Sequence, residues 1–103
     1  MPINGFTVLY HSAVEHDISE AKDWYKNRQK GLEKHFTSEV KHTLLHLSKN
    51  PFLFETKYRS VRIAHTKTFP FCVHFHCNEV TKNITILGVF HTSLNPERWK
   101  NRL

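Results

Sequence analysis

The 103 residues (12.2 kDa) are enough for one compact domain spanning residues 1–103, and a composition of 39% hydrophobic and 23% charged residues excludes a disordered chain. No apolar stretch approaches the roughly 20 residues of a membrane span, and residues 1–6 lack an export signal, which predicts a cytoplasmic protein with no membrane partner. Fifteen Lys and Arg residues against nine Asp and Glu give a net charge of +6, concentrated in residues 51–103, which favours an anionic partner.

The first half of the chain predicts a strand followed by two helices. Residues 6–10 have the aromatic and β-branched content of a strand, and Ser12 with Glu15 has the spacing of a capping box. Gly31 tolerates left-handed geometry and Pro51 disfavours helix before it, so the first helix should end near Gln29 and the second before Pro51, forming an antiparallel hairpin. The predicted buried stripes are Val14, Ile18, Ala21 and Tyr25, then Leu32, Phe36, Val40, Leu44 and Leu47.

The second half changes to a hydrophobic period of two. Alternating segments near residues 61–64, 69–75 and 84–90 predict three strands with turns at 66–68 and 78–83. Asn95 and Pro96 are typical of a helix start. The predicted fold is α+β: a strand, a two-helix antiparallel hairpin, a three-stranded antiparallel meander and a short C-terminal helix. The first strand lies at either edge of the sheet or beside the fourth.

The helices can cover only one face of so small a sheet, so we expect the functional surface on the other face. The residues assigned to that open face are Ser60, Arg62, Ala64, Cys72, His74 and His76. Cys72 and Cys77 are five positions apart and point to opposite faces of a strand, so they cannot pair with each other and are expected to be free thiols.

Two groups of histidines have the spacing of metal half-sites. One is a predicted solvent-facing stripe of the second helix, made of His35, Glu39, His42 and His46. The other is the pair His74 and His76, beside Cys72. No cysteine or second acid joins the helical stripe, and a third ligand for His74 and His76 would have to come from a neighbouring strand. We therefore favour polar surfaces and expect no metal and no cofactor. A histidine-based metal-binding module stays open as an alternative.

Arg62 and His91 are the candidate catalytic pair for RNA cleavage. An arginine can steady a phosphate while an imidazole moves a proton, and the RNA 2′-hydroxyl supplies the nucleophile. The pair lies on two different predicted strands.

Several strings, taken in order, resemble the RelE/ParE superfamily of bacterial toxins, most closely its ParE-like plasmid-stabilisation branch. The resemblance extends from about Phe6 to Leu103. The matching strings are residues 17–25, Lys49-Asn50-Pro51, Val61-Arg62-Ile63, Phe69-Pro70-Phe71-Cys72-Val73, Val89-Phe90-His91 and Asn95-Pro96-Glu97-Arg98-Trp99.

The resemblance implies the toxin of a type II toxin–antitoxin system, neutralised by a cognate antitoxin with an acidic tail. ParE-like members inhibit DNA gyrase without a known hydrolytic site, and this interpretation is favoured. RelE-like members are ribosome-dependent mRNA endoribonucleases, for which Arg62 and His91 would be catalytic. Thr92-Ser93-Leu94 replaces the two arginines that often follow the histidine, so a third alternative is a member that binds antitoxin without toxicity. The expected partner- or nucleic-acid-binding residues are Arg59, Lys67, His74, His76 and Arg98.

Overall fold

The computed structural model describes residues 6–94 and Arg102, which form a five-stranded sheet with a helical hairpin on one face. The elements are β1 (Thr7–Tyr10), α1 (Val14–Arg28), α2 (Leu32–Lys49), a 3₁₀ turn (Pro51–Leu53), β2 (Thr56–Tyr58), β3 (Val61–His65), β4 (Phe71–Asn78) and β5 (Asn83–His91). The α+β prediction is confirmed, with the short strand β2 as an addition. The predicted C-terminal helix, which would contain Arg98, lies outside the described residues.

The hairpin of α1 and α2 turns at Gly31, which has a φ of +91°. This left-handed conformation costs glycine least, so α1 ends at Arg28, as the sequence predicted. The predicted capping box is wrong: the N-cap is Ala13, whose backbone N–H donates to Nδ1 of His11 (3.0 Å). Within the described part of the chain, no helix is long and apolar enough to cross a membrane.

Both predicted helical stripes pack against the sheet. Phe36, Val40 and Leu47 of α2 are buried, as is Tyr25 of α1. The Tyr25 ring is 5.2 Å from that of Phe36 and 6.0 Å from that of Phe71, so both helices meet at the first residue of β4. Burying these large rings supplies much of the free energy that holds the hairpin on the sheet.

The strand order is β1-β5-β4-β3-β2. The three strands β3, β4 and β5 form the predicted antiparallel meander, and β2 extends it by pairing with β3. β1 is parallel to β5, with Thr7 opposite Asn83, which decides among the positions that the sequence left open. The pairing of β1 reaches only Ile86, so the outer edge of β5 continues beyond its partner strand.

The strand register assigns side chains to the two faces of the sheet. Arg62 pairs with Phe75 and Ala64 pairs with Val73, and both partners belong to the core beneath the helices. The prediction that Arg62 and Ala64 lie on the open face is therefore wrong. The register of β3 against β4, which the β3–β4 turn fixes, differs by one residue from the expected one, and a shift of one residue exchanges the two faces of a strand. Ser60 lies in the turn before β3. Cys72, His74 and His76 do lie on the face opposite the helices, and both cysteines are free.

Candidate functional site

Arg62 and His91 lie on the helix-covered side of the sheet but at opposite ends of it. Arg62 pairs with Phe75 and His91 pairs with Phe71, so four residues of β4 separate their positions. At the rise and spacing of ordinary strands, this is roughly 13 Å along the sheet and about 10 Å across it. Each residue therefore belongs to a separate local site.

Arg62 lies in a cluster of two cations and two aromatic rings, which we call the basic corner and define as Phe6, Phe52, Arg62 and Lys82. The Arg62 guanidinium is 5.2 Å from the Phe52 ring centre, and Lys82 Nζ is 5.2 Å from that of Phe6. The two rings meet edge to face at 6.0 Å. Arg62 Nη1 also donates to the Phe54 carbonyl, which fixes the guanidinium beside the 3₁₀ turn.

Arg59 lies at the tip of the β2–β3 hairpin. Arg59 and Ser60 have φ values of +42° and +63°, so two residues other than glycine occupy the left-handed region. Thr56 of this hairpin pairs with Arg62, and Lys57 forms an exposed ion pair with Glu55 (3.2 Å). The Arg59 side chain at this tip is exposed.

His91 borders a cavity of about 540 Å³ between α1 and the end of β5. Its walls include Ala21, Tyr25, Phe71 and Val89, so the cavity is mainly apolar. His91 Nδ1 accepts from the backbone N–H of Ser93 (3.1 Å) and lies 2.7 Å from the Ser93 hydroxyl. The neutral ring therefore carries its proton on Nε2, from which it can donate.

Among the described residues, the charged side chains that line this cavity are acidic. Asp17 and Glu20 line it, whereas Arg62 and Lys82 do not. Asp17 is paired with Arg102 at 2.7 Å, and Glu20 forms an exposed pair with His16 at 3.0 Å. The cavity is consequently a poorer environment for a phosphate than the basic corner.

His74 is buried on the sheet face opposite the helices, with 2% of its surface exposed. Its Nδ1 lies 2.8 Å from the Tyr58 hydroxyl, and its Nε2 lies 3.3 Å from Cys72 Sγ. Burial, reinforced by His65 and Arg102, lowers the pKa of His74 to about 4, and burial raises the pKa of Cys72 to about 11. At neutral pH His74 is therefore an uncharged internal residue, whereas His76 beside it is partly exposed.

Glu39 holds the β3–β4 turn that carries the exposed Lys67, rather than extending into solvent as the sequence predicted. It accepts from the backbone N–H groups of Thr68 (2.6 Å) and Phe69 (3.0 Å), and from the Thr68 hydroxyl. Partial burial raises the pKa of Glu39, but these hydrogen bonds outweigh it and lower the pKa overall. Among residues 6–94 and Arg102, no three His, Cys, Asp or Glu side chains come together in a group that could hold a metal ion.

Sequence reasoning missed Phe52 and Lys82 of the basic corner, and also Tyr58 and Asp17. A signal existed for Phe52, because Pro51-Phe52-Leu53-Phe54 is an apolar run too short for a strand or helix of its own. The pair of Asp17 and Arg102 joins residues 85 positions apart, so no local pattern could have indicated it.

No protein-family model matches the chain, and no curated protein matches it in sequence. Among solved structures, the chain is similar to one from the chromosomal ParDE TA system of P. aeruginosa, with a TM-score of 0.77. The match covers 86% of this chain and 98% of that chain at 14% sequence identity. It confirms the α+β fold predicted from the sequence and supports the ParE-like architecture.

Proposed function

We propose that this protein is the toxin of a type II toxin–antitoxin pair, held inactive in the cytoplasm by an antitoxin with an acidic tail. The observation that carries the proposal is the similarity in fold to a chain of a ParDE TA system, which extends over nearly the whole of both chains. The net charge of +6 supports an acidic partner.

The favoured target is DNA gyrase, inhibited by binding without hydrolysis. The separation of Arg62 from His91 supports this choice, because a nuclease needs its phosphate-binding cation and its proton-transferring group around one phosphodiester. Glu20 beside the His91 cavity also opposes a bound phosphate.

A ribosome-dependent ribonuclease is the second candidate, favoured by one observation. The contacts of Ser93 with Nδ1 of His91 leave the Nε2–H group of the neutral ring directed away from them, where it could donate a hydrogen bond to a phosphate oxygen of bound RNA. In that case Arg62 is too far from His91 to stabilise the same phosphate, and a cation of the ribosome or of another part of this chain would have to do so.

Induced expression with two parallel measurements tests the proposal. A gyrase inhibitor should produce relaxed or cleaved plasmid DNA within the period of growth arrest, with messenger RNA intact. Rapid cleavage of translated messages with normal plasmid supercoiling would instead establish the ribonuclease. Normal growth with the protein present at the same level would overturn the toxin assignment and leave a protein that only binds antitoxin.

A further inference from the structure

Large apolar side chains are exposed where α2 passes into the 3₁₀ turn. Leu53 is 68% exposed and Phe52 is 45% exposed, although both follow directly on the buried Pro51. Leu45 on the adjacent turn of α2 is also half exposed. Large exposed apolar side chains that are neighbours, as Phe52 and Leu53 are in sequence, are typical of an interaction surface.

The charges around these side chains are almost all positive. From Val40 to Phe54 the sequence contains no acidic residue. Arg62 and Lys82 border Phe52 and Phe6 from either side. Glu55, the first acid after this stretch, pairs with Lys57, and Glu79 acts electrostatically on Cys77 together with Arg62 and Lys82.

We propose that the basic corner, together with Leu53, is the docking surface for a partner segment in which a large apolar side chain lies between carboxylates. The apolar side chain would pack on Leu53 and Phe52. The carboxylates would pair with Lys82 and with the N–H groups of Arg62 that Phe54 does not use. The proposal rests on the proposed function only in assigning this segment to the antitoxin.

Two other occupants fit this surface less well. In a symmetric dimer formed through this surface, Arg62 and Lys82 of one copy would face the same cations of the other copy. This repulsion costs free energy unless counterions lie between them. The phosphates of a nucleic acid could pair with the two cations, and a base could stack on Phe52. The exposed Leu53 side chain would not be buried by a phosphate backbone, however. An acidic segment with an apolar anchor uses both properties of the surface at once.

Selection of a random displayed peptide library on the immobilised full chain tests the proposal. The enriched peptides should carry at least two carboxylates around a leucine, isoleucine or aromatic residue. A synthetic copy of the most enriched peptide, labelled with a fluorophore, then serves as the probe for dissociation constants. Leu53→Ser should weaken its binding about tenfold or more, because an exposed anchor contact is lost while the fold is kept.

Lys82→Asn should weaken binding less, by about threefold, and should also reduce the salt dependence of binding. Asparagine is chosen because Lys82 has a φ of +59°, which asparagine tolerates. Trp24→Ser is the matched control, since Trp24 is half exposed on α1 beside the His91 cavity, and it should leave the dissociation constant unchanged.

Four results would overturn the proposal. These are a selection without enrichment, enriched peptides without carboxylates, binding indifferent to Leu53→Ser, and a dimer in sedimentation that Leu53→Ser abolishes. Binding of single-stranded RNA that needs Lys82 but not Leu53 would likewise favour nucleic acid. If the protein does not arrest growth but still enriches such peptides, the docking surface is supported and the proposed toxin function is refuted. The two failures are therefore distinguishable.

Discussion

The guanidinium group of Arg102 donates to both carboxylate oxygens of Asp17, at 2.7 and 3.3 Å. The same carboxylate accepts from the Val89 backbone N–H (3.2 Å), and Arg102 donates to the Leu87 carbonyl (3.2 Å). β1 pairs with β5 only as far as Ile86. These two side chains therefore form hydrogen bonds with backbone groups of β5 that lie beyond its pairing with β1, and they join Arg102 to α1.

Replacing Asp17 by alanine should lower the free energy of unfolding by about 2–4 kcal/mol. The Asp17 side chain is only 10% exposed and that of Arg102 only 21%, so the change leaves a largely buried cation and a backbone N–H without their acceptor. Urea unfolding at neutral pH measures the difference. Glu20→Ala is the control, because its pair with His16 is exposed and should contribute less than about 0.5 kcal/mol. Equal losses in the two variants would contradict the role of Asp17.

Glu39→Gln should destabilise the protein by about 1–3 kcal/mol, because an amide cannot accept the three hydrogen bonds of the β3–β4 turn equally well. The folded pKa of Glu39 is lowered, so the wild type has this stabilisation above the ordinary carboxyl pKa and loses it as the pH falls through the folded pKa. Thermal unfolding from pH 7 to pH 3 measures it. Wild type and variant should converge at the acidic end, and a constant difference would contradict the assignment.

His74 should make the folded state sensitive to mild acid. Its folded pKa of about 4 lies below the ordinary value of 6.5, so the unfolded chain binds the proton more readily. The contribution of the neutral His74 ring to the free energy of unfolding is fully present above about pH 6.5. It is lost as the pH falls towards 4, which lowers the free energy of unfolding by about 2–4 kcal/mol in total. His74→Gln should flatten this part of the pH profile of unfolding, whereas His35→Gln, on the exposed side of α2, should not. An unchanged slope in His74→Gln would refute the prediction.

His91→Ala should leave growth arrest intact if the target is gyrase. A ribonuclease that used His91 for proton transfer would lose about 10²–10⁴-fold in rate. The measurement is growth after induction, with protein amount and melting temperature compared with the wild type. Loss of arrest in a folded, equally abundant variant would contradict the gyrase proposal and favour RNA cleavage.

Residues close together in sequence explain most of what could be predicted about the elements. The stripes of Tyr25 and Phe36 follow the helical period, and Gly31 and Pro51 mark helix ends through their own backbone preferences. The candidate site was harder to predict. Arg62 was assigned to the wrong face because Ile63 and Ala64 are both apolar, which leaves the alternation of β3 ambiguous in phase.

By itself the sequence determined the helical hairpin, the meander, the free cysteines and the excess of positive charge in the second half, because each depends on periods and residue types within a few positions. Only the tertiary structure decided that β1 lies beside β5, that Arg62 and His91 belong to different sites, and that Arg102 reaches Asp17. These relationships join residues 29 to 85 positions apart, and their geometry depends on strand register and packing, which no local pattern specifies.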